Sequence, residues 1–222
     1  MRKKKLLDLL DRMLIFEEGM ISNQTTSWKA HREADKLSKR KLLPILYEIV
    51  DENEGEDKQK QFLRSRCYYI IGQITIKKFK HEDCEYIFNR LKKEYKNNDV
   101  VYSLFEVICN WRNDANIFVP DDIDITPLVE IVTNKRGWIK RCAIQTLGCC
   151  PRKESRDVIR TILTQEDEKK HKEEIRWANV ALQHIGEHDD IPYLERFLKS
   201  RIPNSKITAQ YAIQYIKERN NL

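Results

Sequence analysis

The residues of this chain best suited to do chemistry are its bases. Lys135, Arg136, Lys140, Arg141, Arg152, Lys153, Arg156 and Arg160 crowd into residues 135–160, against only Glu154 and Asp157. Eight bases against two acids leave a surplus of six, equal to the formal net charge of all 222 residues, so the rest of the chain balances. Such a patch attracts polyanions, because each phosphate it neutralises releases counterions and the affinity then falls as salt rises. The same surplus suits an acidic protein surface, or a face solvated by water alone, since charge by itself does not choose among them. Trp138 and Trp177 stand close in sequence to Arg141 and Arg176. Tryptophan and arginine are among the residue types most enriched where proteins bind one another. The candidate binding residues are therefore Arg136, Trp138, Lys140, Arg141, Arg156, Arg176 and Trp177.

Other chemistry is thinly represented. His184 and His188 are four apart, but Gly186 lies between them, and His81 with Cys84 lacks further ligands. No CxxC pair, glycine-rich phosphate loop, nucleophile elbow or HExxH segment is present, so no metal and no cofactor is expected. Asp121-Asp122 and Asp189-Asp190 are read as helix caps and loop residues. With no catalytic constellation, no enzymatic activity is assigned. Cys67, Cys84, Cys109 and Cys142 fall where a small apolar residue would serve a helix core, and Cys149 and Cys150 are adjacent. Six reduced thiols imply a reducing interior, hence the cytoplasm.

The elements that must position these residues are helices. Leu63, Cys67, Ile70, Ile71 and Ile74 step by threes and fours, and so do Cys84, Ile87, Phe88, Leu91 and Tyr95. Val101, Leu104, Phe105, Ile108 and Trp111 continue the pattern, and Ile175, Ala178, Leu182 and Ile185 repeat it. Stripes of this width belong to helices hiding one face. The spacing predicts five helix pairs near 41–77, 81–112, 125–150, 153–186 and 190–219, preceded by a pair near 3–17 and 28–39. Loops are expected at 51–60 and 113–124. Ser27, Thr126 and Asp190 are read as caps, and Gly148 and Gly186 as left-handed residues closing helices. The N-terminal "MRKKKLLDLLDRMLIF" starts like a secretion signal, but Asp8, Asp11 and Arg12 interrupt it. Leu6, Leu10, Met13 and Leu14 mark an amphipathic helix instead. No run of eighteen apolar residues exists, so no membrane partner is expected.

The pairs repeat. "WIKRCAIQTLG" and "EIRWANVALQHIG" share one grammar, their glycines at 148 and 186 lie thirty-eight residues apart, and Gly72 lies two such steps earlier. Asn110 occupies the missing step. Cys67, Ala143 and Ala181, each five residues before its glycine, would let neighbouring helices approach closely. Phe105 breaks that rule, so the second pair is expected to pack more loosely or at another angle. Each pair exposes an apolar stripe that only a neighbour can bury, which is the logic of a solenoid.

A first helix of the type "TPLVEIV" or "IPYLERFL", alternating with a second of the type "IRWANVALQHIG", resembles the HEAT and HEAT-like repeats, including those of phycobilisome-lyase-type proteins. The resemblance covers most of 41–219. It implies an all-α, right-handed, armadillo-type α-solenoid of about six antiparallel helix pairs, with 1–40 as capping helices continuous with a repeat array over 41–222. Such arrays bind other macromolecules, so the function implied is a non-catalytic scaffold gripping a protein through its concave surface and the basic patch. A narrower stretch, "GWIKRCAIQTL" followed by two pairs ending "KITAQYAIQYIKERN", is similar in order and spacing to the HEAT-like alkylpurine DNA glycosylases. That likeness implies nucleic-acid binding, with Arg141 at the place of the family's phosphate-contacting arginine. Where the family carries a Trp-Trp-Asp segment this chain reads "KNNDVVY", with Asn98 and Tyr102 at the aromatic and acidic places. Ala181 stands near a later pocket tryptophan. The carboxylate that would stabilise a developing sugar cation is thus not matched.

Overall fold

The computed structural model describes residues 3–221, which form twelve α-helices and no strand. Residues 1, 2 and 222, which the regions 1–40 and 41–222 take in, lie outside the described residues. The chain forms two compact units that divide between Ile117 and Phe118.

In the first unit, α1 (Lys3–Leu14) buries Leu6, Leu9, Leu10 and Met13 and leaves Leu14 exposed, so the predicted stripe is rotated by one residue at its end. α2 (Thr26–Ala34) is capped by Thr25, whose hydroxyl accepts the Trp28 amide at 3.2 Å. Ser27, expected as the cap, lies inside the first turn and its hydroxyl donates to the Met13 carbonyl. α3 (Leu43–Glu52) and α4 (Lys58–Thr75) flank a turn much shorter than the expected loop, because Asp57 caps α4 by accepting the Lys60 amide at 3.0 Å. α5 (His81–Glu94) and α6 (Asn98–Ala115) follow, and Asn116 closes α6 in the left-handed region at φ 53°. α4 packs on both α3 and α6, α5 packs on α6, and α1 packs on α2 and α4.

In the second unit, α7 (Thr126–Asn134) and α8 (Gly137–Leu147) pack together, as do α9 (Lys153–Gln165) and α10 (Lys172–Ile185). The five-residue α11 (Ile191–Glu195) packs on α12 (Pro203–Arg219) and on α9. Both α8 and α12 pack on α10. Thr126 is not the cap of α7. It is the first helical residue, and its amide donates to Asp124 Oδ1 at 2.9 Å. Asp190 precedes α11 but gives it no side-chain cap; its carboxylate instead accepts the amide of Glu187, three residues back, at 2.7 Å.

The periodic glycines have a different cause from the one expected. Gly148 has φ −65° and Gly186 φ −66°, so neither is left-handed. What they supply is missing bulk. A β-carbon on Gly148 would stand 2.9 Å from the Ala181 backbone on α10, and one on Gly186 would stand 2.5 Å from the Leu182 carbonyl of its own helix and 2.6 Å from the Ile216 side chain on α12. Gly72 on α4 plays the same part against Val107 on α6, at 3.1 Å. The thirty-eight-residue period is therefore a contact period, each glycine admitting the second helix of the following pair. Asn110 and Phe105 fall on α6, the last helix of its unit, and Phe105 is fully buried there.

Candidate functional site

The basic surplus of 135–160 is largely turned inward. Lys140 Nζ lies 2.7 Å from Glu166 Oε1, and the other Glu166 oxygen lies 3.2 Å from His171 Nδ1. Arg152 donates to the carbonyls of Ile123, at 2.6 Å, and Pro120. Lys153 pairs with Asp157 at 2.6 Å on the surface. Arg156 is buried with Nη1 2.9 Å from Glu187, and Arg160 Nε donates to the fully buried Asp190 at 2.6 Å. Burial alone would lower the Arg160 guanidinium, but the Asp190 hydrogen bond and charge hold it above its ordinary value. A count confined to 135–160 misses Glu166, Glu187 and Asp190, the three acids that fold back onto it. Arg136, exposed, and Arg141, half-buried, form no ion pair. Of the seven candidates, then, Lys140 and Arg156 are committed to the fold.

The aromatic candidates fare otherwise. Trp138 is 41% exposed at the start of α8. Trp177 is half-buried on α10 with the Arg176 guanidinium 5.2 Å from its ring centroid. The structure does not bring Arg141 into a recorded contact with either ring. Equivalent faces can be placed by register. Ala178, Ala181 and Ile185 of α10 are buried, and so are Ala209, Ala212 and Ile216, each thirty-one residues later on α12. Arg176, Val180 and His184 thereby correspond to Ile207, Tyr211 and Tyr215. On α8 the thirty-eight-residue step makes Trp138 and Cys142 correspond to Arg176 and Val180. Residues three to four apart share a helix face, so each helix presents one strip. Ile207, Tyr211 and Tyr215 are 47%, 54% and 47% exposed, a row of apolar side chains in water. The sequence reading did not single them out. Their signal was the four-residue spacing, which on α12 marks two opposite apolar faces where a surface helix needs one. The same register puts Lys217 at the place of Gly186. A long exposed side chain thus stands on α12 where α10 has a glycine against its neighbour.

Acids in the first unit do not assemble a reactive site. Glu94, 3% exposed, accepts from Arg64 at 2.8 Å on both oxygens and from Arg90 at 3.1 Å. Burial would raise this carboxyl, but the Arg64 bonds and charge, with Asn97 and Arg90, hold it below its ordinary value. A carboxylate pinned this way is a poor proton donor and a poor base at neutral pH; it fastens α4 to α5. Tyr102, at one of the glycosylase-like places, is exposed on α6, Asn98 is half-buried at its start, and the adjacent Asp99 is exposed 3.7 Å from Lys58. None of the six cysteines forms a disulfide. Burial pushes the Cys67 thiol up, which removes it as a nucleophile. Among the described residues no helix is long and apolar enough to cross a membrane.

Compared with known proteins, the sequence matches no family model and no curated protein.

Proposed function

We propose that the chain is a binding scaffold built from stacked HEAT-like helix pairs, an α-solenoid without catalytic function, whose ligand is another protein. The observation that carries this reading is the strip of exposed aromatic and apolar residues on the second helices of the second unit: Trp138 on α8 and Ile207, Tyr211 and Tyr215 on α12. Between them α10 presents Arg176 and Val180. Exposed side chains of this size, repeated on helices that pack side by side, are what a partner would cover. Tyrosine and tryptophan also keep a polar group at the rim, so the strip stays compatible with water when empty.

Nucleic acid is the weaker reading. It leaned on eight bases, and five of these are held by the protein's own acids and carbonyls. Of the other three, Lys135, Arg136 and Arg141, only the two arginines form no ion pair or hydrogen bond within the protein, too few for the steep salt dependence of a polyanion binder.

The test is position-specific crosslinking in cell extract. A photoreactive benzoylphenylalanine at Tyr211 should capture a discrete protein partner, and the same group at exposed Lys153 on α9 should not. Trp138→Ser with Tyr215→Ser should abolish capture while changing stability by less than about 1 kcal/mol, as exposed substitutions do. Equal labelling from both positions, or capture that nuclease treatment removes, would sink the proposal.

A further inference from the structure

The first unit contains a cleft of about 670 Å³ between the end of α1 and the start of α4. Leu14, Phe62 and Leu63 give it an apolar wall, Lys60 and Arg66 give it positive charge, and Asp11 and Asp57 stand on the other sides. The volume is that of sites holding a ligand of metabolite or short-peptide size.

Arg66 sets this cleft apart. Arg12, Arg32, Arg40, Arg64 and Arg90 each reach a carboxylate. Arg66 forms no ion pair and no hydrogen bond, and its Nε is shut away from water without an acceptor. Burial draws its guanidinium below the ordinary value, and the charges of Glu106 and Tyr69 offset this only in part. Its Nη1 and Nη2 reach water and have no acceptor among the described residues, so these two, and not the enclosed Nε, are the donors open to a ligand. Its planar fork matches the two oxygens of a carboxylate.

The surroundings decide which anion. Asp57 is occupied in capping α4, but its charge and that of Asp11 balance Lys60 and Arg66, so the cleft offers a dianion no net attraction. A single carboxylate needs only the one unpaired arginine, and the wall of Leu14, Phe62 and Leu63 has room for hydrocarbon. Phe62 is 47% exposed and would be covered. We propose that this cleft binds a carboxylate carried on an apolar body, its oxygens on Arg66 and its hydrocarbon against Leu14, Phe62 and Leu63. Free arylalkyl acids and the C-terminal residue of a peptide share that chemistry. The site lies in the other unit from the protein-binding strip and does not depend on it.

Three probes separate the possibilities: 3-phenylpropionate, a tetrapeptide ending in phenylalanine with a free carboxylate, and the same peptide as its C-terminal amide. Titration calorimetry of the full chain, with methyl NMR of Leu14 and Leu63, reads the binding. At least one acid should saturate at millimolar concentration or below, with the ring shifting both leucines, and the amide should bind at least about tenfold more weakly. The tighter acid identifies the source. Arg66→Gln should lower the affinity for that acid about tenfold and leave the amide unchanged, whereas Phe62→Ala should weaken both. Arg66→Lys keeps the charge without the fork and should fall between Gln and wild type; it serves in place of Gln if that variant misfolds. The proposal is overturned if neither acid binds at about 10 mM, if acid and amide bind alike, or if affinity survives both Arg66 substitutions.

Discussion

The two compact units share a device and differ in the ion clusters set beside it. In the first, "HEDCEYI" starts α5; in the second, "HDDIPYL" leads into α11. Asp83 and Asp190 occupy the same place in these segments, and both are fully buried. Each accepts a backbone amide three residues back, from Lys80 at 2.8 Å and from Glu187 at 2.7 Å. Each also holds an arginine from an earlier element, Arg40 at 2.7 Å and Arg160 at 2.6 Å. One carboxylate thus ties a helix start to an earlier helical segment, skipping α3 and α4 in the first unit and α10 in the second. A buried negative charge is tolerated because both of its oxygens are used. The first unit adds a second ion cluster, Arg64–Glu94–Arg90, closed by Tyr68 and by the Asn53 carbonyl. The second unit shares its fully buried Asp190 between Arg160 at 2.6 Å and Arg156 at 3.6 Å, with both arginines less deeply buried than Arg64 and Arg90. Its Arg156–Glu187 pair has a half-exposed acid. The lesson is that repeated backbone architecture leaves the placement of charge free to diverge.

The largest effect should come from separating those two clusters. Glu94→Gln leaves Arg64 and Arg90 buried without their shared anion and should cost about 3 kcal/mol or more, read as a fall in the urea midpoint. Glu187→Gln, at the half-exposed counterpart, should cost less than about 1 kcal/mol. Equal losses would erase the distinction between the units. The first cluster also predicts a pH dependence. The folded Glu94 carboxyl lies below its ordinary value of 4.5, so its contribution is complete above that pH and is lost as pH falls through the lower folded value. The Glu94→Gln variant should lose that part of the acid slope.

The shared device should yield the next effect. Asp190→Asn and Asp83→Asn keep the shape of the side chain but remove the buried charge, leaving Arg160 with the half-exposed Asp157 and Arg40 with the exposed Glu82. Each should cost about 2 kcal/mol, the worth of a hydrogen bond to a charged group. Hydrogen exchange would locate the loss, near α9 and α11 for Asp190 and near α5 and the turn before α3 for Asp83. A loss confined to the substituted helix would mean that the arginine link contributes nothing.

Helices were legible in the sequence because burial of one face writes a period into residues such as Ile175, Ala178, Leu182 and Ile185. Charge was not legible, because Glu166 and Asp190 lie outside the window in which Lys140 and Arg160 were counted, and only folding brings them in. Arg66 was invisible for the same reason in reverse: an arginine is expected to find an acid, and nothing in "LRSRC" tells that Arg64 does and Arg66 does not. Part of the candidate face was visible in Trp138, Arg176 and Trp177. Tyr211 and Tyr215 were not legible, because an apolar residue at helical spacing is usually buried. Gly148 and Gly186 were found by their spacing and misread in mechanism, since a helix-closing glycine and a glycine admitting a neighbour leave the same letter.

That ambiguity supplies the smallest and most discriminating comparison. Gly148→Ala puts a β-carbon 2.9 Å from backbone on α10, and backbone of a packed helix cannot step aside without moving the helix. The cost should be about 1–3 kcal/mol. Gly72→Ala in the first unit meets only the Val107 Cγ2 methyl at 3.1 Å, a side chain that can shift by a few tenths of an ångström. Gly72 lies within α4, where alanine gains about 0.8–1 kcal/mol in helix propensity over glycine. The two terms nearly cancel, so Gly72→Ala should change stability by less than about 1 kcal/mol in either direction. Urea midpoints of the two variants measured together test the contact-period reading. If Gly148→Ala is as mild as Gly72→Ala, the period does not mark where one helix pair admits the next, and the two glycines answer to something other than packing.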